Sequence, residues 1–225
     1  MPPSHLAETS ANVFASFDLF ECRDEPGYKK LQKITGGFNG LMFGLDDCYL
    51  AEAKRHRSAE TAKGKSSFHI SLSKGRLDEF DETFYQRLNT AAEQFDRVIF
   101  WECYPWEDKD VITVLRTKIA RLEVFPVAEL LNKGAPVSPG DFMYATRFHP
   151  HYVAARLGAT GYFNSKSDYY DVKHESIVQR GSPFRSIDLN AEIEINSDGK
   201  SDIVNQEQTF RKMKADLADK IYGLK

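Results

Sequence analysis

The 225 residues carry 30 basic and 33 acidic side chains, a formal net charge of −3, with 41% hydrophobic and 28% charged residues. Such a composition suits one large domain or two small lobes around a substantial core, and lies outside the disordered and membrane classes. The near-balanced charge argues against bulk nonspecific binding to a nucleic-acid backbone, while leaving room for a local basic site.

In chain order, the opening segment, Met1 to Ser10, has neither the basic region nor the apolar core of a secretory signal. No later apolar run approaches membrane-spanning length, so a soluble, cytoplasmic protein without a membrane partner is expected. Residues 13 to 20 are rich in apolar and aromatic types and read as a buried strand, closed by the Pro26-Gly27 turn. Tyr28, Leu31 and Ile34 then recur at helical spacing until Gly36-Gly37. Asp46 and Asp47 open an expected second helix with Lys54, Arg55 and Arg57 at its far end, an order that suits the helix dipole.

Ser66 to Ser73 reads as a strand in which Phe68, Ile70 and Leu72 face a core while His69, Ser71 and Ser73 share the other face. The helix 78 to 95 follows, with Leu77, Phe80, Phe84, Leu88, Ala91 and Phe95 as one apolar stripe. Arg97 to Tyr104 is apolar on both alternations through Trp101, as a central strand should be, and a helix from about 108 to 122 carries Ile112, Leu115, Ile119 and Leu122 in register. Pro126 starts a short helix ending near Gly134, and Pro136 to Gly140 is a loop. Strands are expected near 142 to 147, 160 to 163 and 187 to 195, the last closed by a turn at Asn196 to Gly199. Phe210, Met213, Leu217, Ile221 and Leu224 mark a C-terminal helix. The fold class is α+β, with helices packed on a sheet. The three cysteines, Cys22, Cys48 and Cys103, are odd in number and widely separated, so they are expected as reduced, partly buried thiols.

Chemistry concentrates on histidine. A histidine and a hydroxyl on one strand face, His69 and Ser71, can hold a phosphate and move a proton. A second histidine segment, Phe148-His149-Pro150-His151-Tyr152-Val153, follows Arg147. Two readings of it stay open: an extended strand placing His151 on a cleft face, or a helix over 150–157 with Pro150 at its first position, alanines inside and Gly158 just past its end. A competing segment, Val172 to Val178, offers His174 and Ser176, and His174 also reads as an exposed loop residue.

An apolar-flanked His-x-Ser strand leading into an amphipathic helix, then a later histidine segment preceded by a basic residue, resembles the two-histidine phosphoesterase superfamily of RNA-end-processing cyclic phosphodiesterases. The resemblance implies a bilobal mixed sheet with helices on its outer faces, over one domain 1–225 or two lobes of about 1–96 and 97–225. It implies His69 and His151 as the acid/base pair and Ser71 as a phosphate donor, with Ser73, Arg147, His174 and Ser176 contacting substrate. The implied substrate is a nucleotide or RNA end with a 2′,3′-cyclic or 2′,5′ phosphodiester, turned over without metal or cofactor. Val153 departs from the pattern, since the family has threonine or serine there. That departure favours a noncatalytic nucleotide- or RNA-binding or protein-interaction domain as an alternative.

Other features are weaker. Gly36 to Gly40 lacks the Gly-Lys-Ser/Thr ending of a phosphate-binding P-loop, and His149 with His151 has no acidic or cysteine partners for zinc. The basic residues Lys54, Arg55, Arg57, Lys63 and Lys65 read as a solvated helix end, or as a phosphate attractor if they flank His69. Trp101, Tyr104 and Trp106 either stack a base or form an aromatic core and its rim. Glu192-x-Glu194, together with Ser71 and Ser73, resembles the serine and Glu-x-Glu strands of arginine-type ADP-ribosyltransferases, which bind NAD.

Overall fold

The computed structural model describes residues 11–57, 66–195, 199 and 201–223. The chain divides into two compact units, one of Met1–Glu52, Lys166–Ser176 and Asn205–Lys225, the other of Ala53–Ser165 and Ile177–Val204.

In the first unit a short helix α1 (Ala11–Ala15) precedes strand β1 (Phe20–Cys22), helix α2 (Glu25–Thr35) and strand β2 (Leu41–Phe43). The expected strand over 13 to 20 is thus corrected: Val13 and Phe14 lie in α1, and the extended backbone begins only at Phe20. The dense aromatic run hides this break, because it spans the end of α1, a turn and the first residue of β1. α2 follows its sequence signals, with Asp24 accepting the Gly27 amide at 2.7 Å and left-handed Gly36 closing it. β1 and β2 pair in parallel, and Cys22, Leu31 and Leu41 form a small core under α2. The helix expected from Asp46 is a single 3₁₀ turn, Asp47–Leu50, which Asp46 caps through the Cys48 amide at 3.0 Å. Helix α8 (Asp202–Tyr222) buries Phe210, Lys214 and Leu217, while Met213 and Ile221 are exposed, so a lysine takes a place in the buried stripe. The Lys214 ammonium reaches both Glu21 carboxylate oxygens at 2.6 and 2.8 Å, Asp47 at 2.7 Å and the Leu45 carbonyl at 2.9 Å.

The second unit is built on six strands: β3 (Ser67–Ser71), β4 (Arg97–Trp101), β5 (Leu122–Phe125), β6 (Phe142–Ala145), β7 (Thr160–Phe163) and β8 (Arg185–Ser186). They lie in the order β5-β4-β3-β6-β7-β8, and every pair is parallel. A parallel sheet needs both faces covered. Accordingly all five residues of β3 are buried, histidine and serines included. The crossovers are helical: α3 (Glu82–Ala92), α4 (Pro105–Lys118), α5 (Val127–Lys133) and α6 (Phe148–Arg156). α7 (Asp168–Val178) comes between β7 and β8. One continuous core joins Phe68, Ile70 and Leu72 to Phe84, Leu88, Leu115, Phe142 and Tyr144. A Cβ at Gly161, opposite Met143 in the ladder, would stand 2.0 Å from the Met143 carbonyl oxygen, so glycine alone lets β7 close on β6 there.

The expected combination of sheet and helices is present, and the sheet is parallel throughout. β3 and β4 are neighbours in it, so no lobe boundary falls near 96. Residues 187–195 are not a strand. Ile187, Leu189, Ile193 and Ile195 deliver their side chains to the core as an irregular cover, satisfying the alternation without pairing. The segment carrying His174 is helix α7. β5 was concealed by the helical register that Leu122 extends. Among the described residues no helix is long and apolar enough to cross a membrane.

Candidate functional site

The chain runs β3, β4, β5 towards one edge of the sheet, then returns to β6, β7, β8 on the other side, so the strand order reverses between β3 and β6. In open α/β sheets such a reversal leaves a crevice outside the carboxyl ends of the two strands, because their connections depart to opposite sides. The residues here are Ser71 to Gly75 after β3, Glu102 to Trp106 after β4, and Thr146 with Arg147 after β6.

Thr146 stitches the floor. Its hydroxyl accepts the Ser73 amide at 2.9 Å and lies 3.3 Å from the Ser71 carbonyl, which also takes the Thr146 amide at 2.8 Å. Ser73 leads into a 3₁₀ turn, Lys74–Glu79, without capping it by its side chain. Lys74 pairs with Asp110 at 2.6 Å, both half-exposed, and a Cβ at Gly75 would meet nothing within 4 Å. The turn therefore offers a hydroxyl, an ammonium and open space above the backbone.

Arg147 is the N-cap of α6 and makes no side-chain cap. Its guanidinium grips both oxygens of Asp108, one at 2.8 Å. Asp108, buried near the start of α4, also accepts the Cys103 and Tyr104 amides at 2.7 and 2.9 Å. Burial alone would raise its pKa, but Arg147 and these two amides outweigh that and hold it below the ordinary value. The converse applies to Arg147, which burial would lower and Asp108 holds up. Burial pushes the Cys103 thiol up, against the pull of Arg147 and Ser71. A thiol so raised is a poor nucleophile. Ser71 Oγ is buried and has no hydrogen-bond partner of normal geometry.

The histidines lie elsewhere. His69, fully buried in mid-strand, has Nε2 3.0 Å from Asp141 Oδ2 and receives the Trp101 indole N–H on Nδ1. Asp141 further accepts the Ser67 and Ser138 amides at 2.9 and 2.8 Å. Both ring nitrogens are engaged within the fold. His151 is in α6, fully buried, 2.9 Å from Ser182 Oγ and stacked on Phe184 at 4.2 Å between ring centres. The helical reading of 150–157 is the one realised, and the extended geometry that would have set His151 beside Val153 on a cleft face is corrected. His174 is buried in α7, where Ser176 bonds back to the Lys173 carbonyl at 2.7 Å; His174 and Ser176 belong to the other compact unit. Of the residues singled out for substrate, Ser73 and Arg147 stand at the crevice.

Arg55 donates to the Val137 and Leu157 carbonyls at 3.0 and 2.6 Å, near the amino ends of β6 and β7 and so at the opposite end of the sheet. Lys63 and Lys65 lie outside the described residues. Trp101 is core, whereas Tyr104 and Trp106 are exposed. Glu192 and Glu194 are on exposed irregular backbone, so there is no Glu-x-Glu strand. Sequence reasoning passed over Asp108 and Thr146. An acid in the first turn of a helix starting at Pro105 was the available sign for Asp108, whereas Thr146 matters only through its register with Ser71.

The chain matches no protein-family model and no curated protein. Its fold is similar to that of Anabaena Alr3699/HepE solved with UDP and glucose, at a TM-score of 0.51 and 12% identity over 99% of this chain and 69% of that one. The same protein solved with UDP-glucose gives a TM-score of 0.43 and 11% identity over 97% and 65%. These neighbours are complexes with UDP or UDP-glucose, not with a cyclic phosphate, an RNA end or NAD. The parallel sheet, the fold likeness at a TM-score of 0.51 and the helical His151 segment overturn the expected cyclic phosphodiesterase.

Proposed function

We propose that the chain binds a nucleoside diphosphate carrying a sugar, with the diphosphate in the crevice between the ends of β3 and β6. The observation that carries this reading is the reversal of strand order at that point, the place where doubly wound sheets receive nucleotides. Ser73 supplies a hydroxyl and Lys74 a cation that can leave Asp110 cheaply, since a half-exposed pair is worth little. The positive end of α6 faces the same crevice. The Gly-x-Gly-x-x-Gly fingerprint of dinucleotide sites is missing, because Ser73-Lys74-Gly75 holds a single glycine, and this favours a mononucleotide. Donors that hold a diphosphate also stabilise the charge it gains as a leaving group, so the site suits transfer of the sugar. The UDP found in the similar Anabaena fold supports uridine as the first nucleoside to try.

Calorimetry with UDP, UDP-glucose and uridine tests the reading. UDP and UDP-glucose should bind and uridine should be at least ~10-fold weaker, about 1.4 kcal/mol. Lys74→Ala combined with Ser73→Ala should erase most of that difference while leaving thermal stability near that of the parent. Absence of heat with both diphosphates at about 1 mM ligand, where a millimolar site would register, would overturn it.

A further inference from the structure

We propose that the first unit binds a medium-chain aliphatic carboxylate in a pocket between the end of β2 and α8, with Lys220 as counter-ion of its head group. The pocket has a volume of about 340 Å³, within the range of small-molecule sites. All of its lining belongs to the first unit, and it stands independently of the nucleotide reading.

Met213, Asp216, Leu217 and Lys220 fall at i, i+3, i+4 and i+7 and so present one face of α8 to the pocket, opposite Met42 to Leu45. Leu45 and Leu217 are buried, whereas Phe43 and Met213 are 41% and 47% exposed, so apolar surface runs from the core out to water. A ligand with an apolar tail gains by covering it. Met42 and Met213 are unbranched and polarizable, and such side chains adjust to a flexible tail.

Charge selects the head group. Three charged side chains complete the lining, and two are already neutralised: Lys214 by Glu21 and Asp47, and Asp216 by Lys212 at 2.6 and 2.9 Å. Asp216 is the residue one turn before Lys220 that would ordinarily pair with it. Instead the Lys220 ammonium rests 3.7 Å from Met42 Sδ, a weak acceptor, and among the described residues it meets no carboxylate. The Gly44 and Leu45 amides are taken by the Cys22 carbonyl and Glu21 at 2.8 and 3.0 Å. One cation beside an apolar wall matches a monoanion with a tail and falls short of a phosphate. At about 30 Å³ per non-hydrogen atom, the share of a water in the liquid, 340 Å³ holds roughly eleven such atoms, the size of octanoate.

The methionines make the test local. Met42 and Met213 line the pocket, whereas Met143 is buried in β6 of the other unit. In the full chain labelled with ¹³C-methyl methionine, octanoate should shift the Met42 and Met213 methyl signals saturably and leave Met143 in place, the signals being assigned with Met42→Leu and Met213→Leu. Acetate, which lacks the tail, and octylamine, which brings like charge, should not. Lys220→Gln should weaken octanoate binding about 3-fold or more, as expected of a half-exposed ion pair, and Lys220→Glu should weaken it at least ~10-fold. Both variants should melt near the parent, since Lys220 is exposed. No saturable shift up to about 1 mM octanoate, where a millimolar site would register, would overturn the proposal. So would octylamine binding as well as octanoate, or full affinity in Lys220→Glu. Methyl shifts that follow protein concentration without octanoate would assign the pocket to a second copy of the chain and overturn it equally.

Discussion

Trp101 donates its indole N–H to Nδ1 of His69 across 3.0 Å. An indole nitrogen only donates, so Nδ1 must accept; the His69 proton is on Nε2 and is given to Asp141. The imidazole is neutral and locked, a pin joining β4, β3 and the start of β6. His69→Ala should therefore cost stability rather than binding, because it strands a buried indole N–H at about 1–3 kcal/mol and takes one donor from Asp141, which keeps the Ser67 and Ser138 amides. Urea unfolding should show a loss of about 1–3 kcal/mol, with UDP affinity unchanged in the folded fraction. Full stability with altered affinity would contradict the pin.

The Arg147–Asp108 pair makes the crevice sensitive to acid. The folded pKa of Asp108 lies below its ordinary value of 3.8, so its contribution to stability is complete above that pH and is lost as pH falls through the folded value. Arg147→Met leaves the carboxylate buried and unpaired, a change that costs about 3–5 kcal/mol in comparable pairs. The variant's acid unfolding should begin at higher pH than the parent's, measured by near-UV circular dichroism. Coincident acid transitions would show that the pair does not contribute.

Lys214 gives the opposite sign. Burial would lower its pKa, but Asp47 and Glu21 outweigh that and raise it above 10.5. Its contribution is complete below that pH and fades as pH rises through the folded value. Lys214→Met leaves Glu21 without its cation and should cost about 3–5 kcal/mol. Hydrogen exchange should rise selectively at residues 20–22 and 41–43, with the six-stranded sheet unaffected.

Much of the second unit was legible because its strands are apolar on both faces and its helices amphipathic. β3, β4, β6 and β7, the helix expected from about 108 and the Pro126 helix start could all be read within a few residues. Strand order could not, since parallel pairing is decided by partners far apart in sequence. The same limit misled the reading of His69. Its place on a strand was visible, but Trp101 and Asp141, which occupy its nitrogens, come from two other elements. At 150–157 the local signs of a helix, Pro150 and Gly158, were present beside the motif that required a strand, and local preference prevailed. Arg147 and Ser73 stood out as phosphate contacts for a different chemistry, while Asp108, which fixes Arg147, had only its helix-start position to betray it.

The first unit is woven from three separated stretches of chain, and Glu21 and Lys214 are 193 positions apart. During synthesis the six-stranded sheet has all its strands once residue 186 has emerged, whereas Glu21, Leu45 and Asp47 wait for Lys214, further along the chain. Strands β1 and β2, made before the sheet, are then fastened after it. A chain cut within α8 before Lys214 keeps every strand of the sheet and leaves Glu21 without its cation.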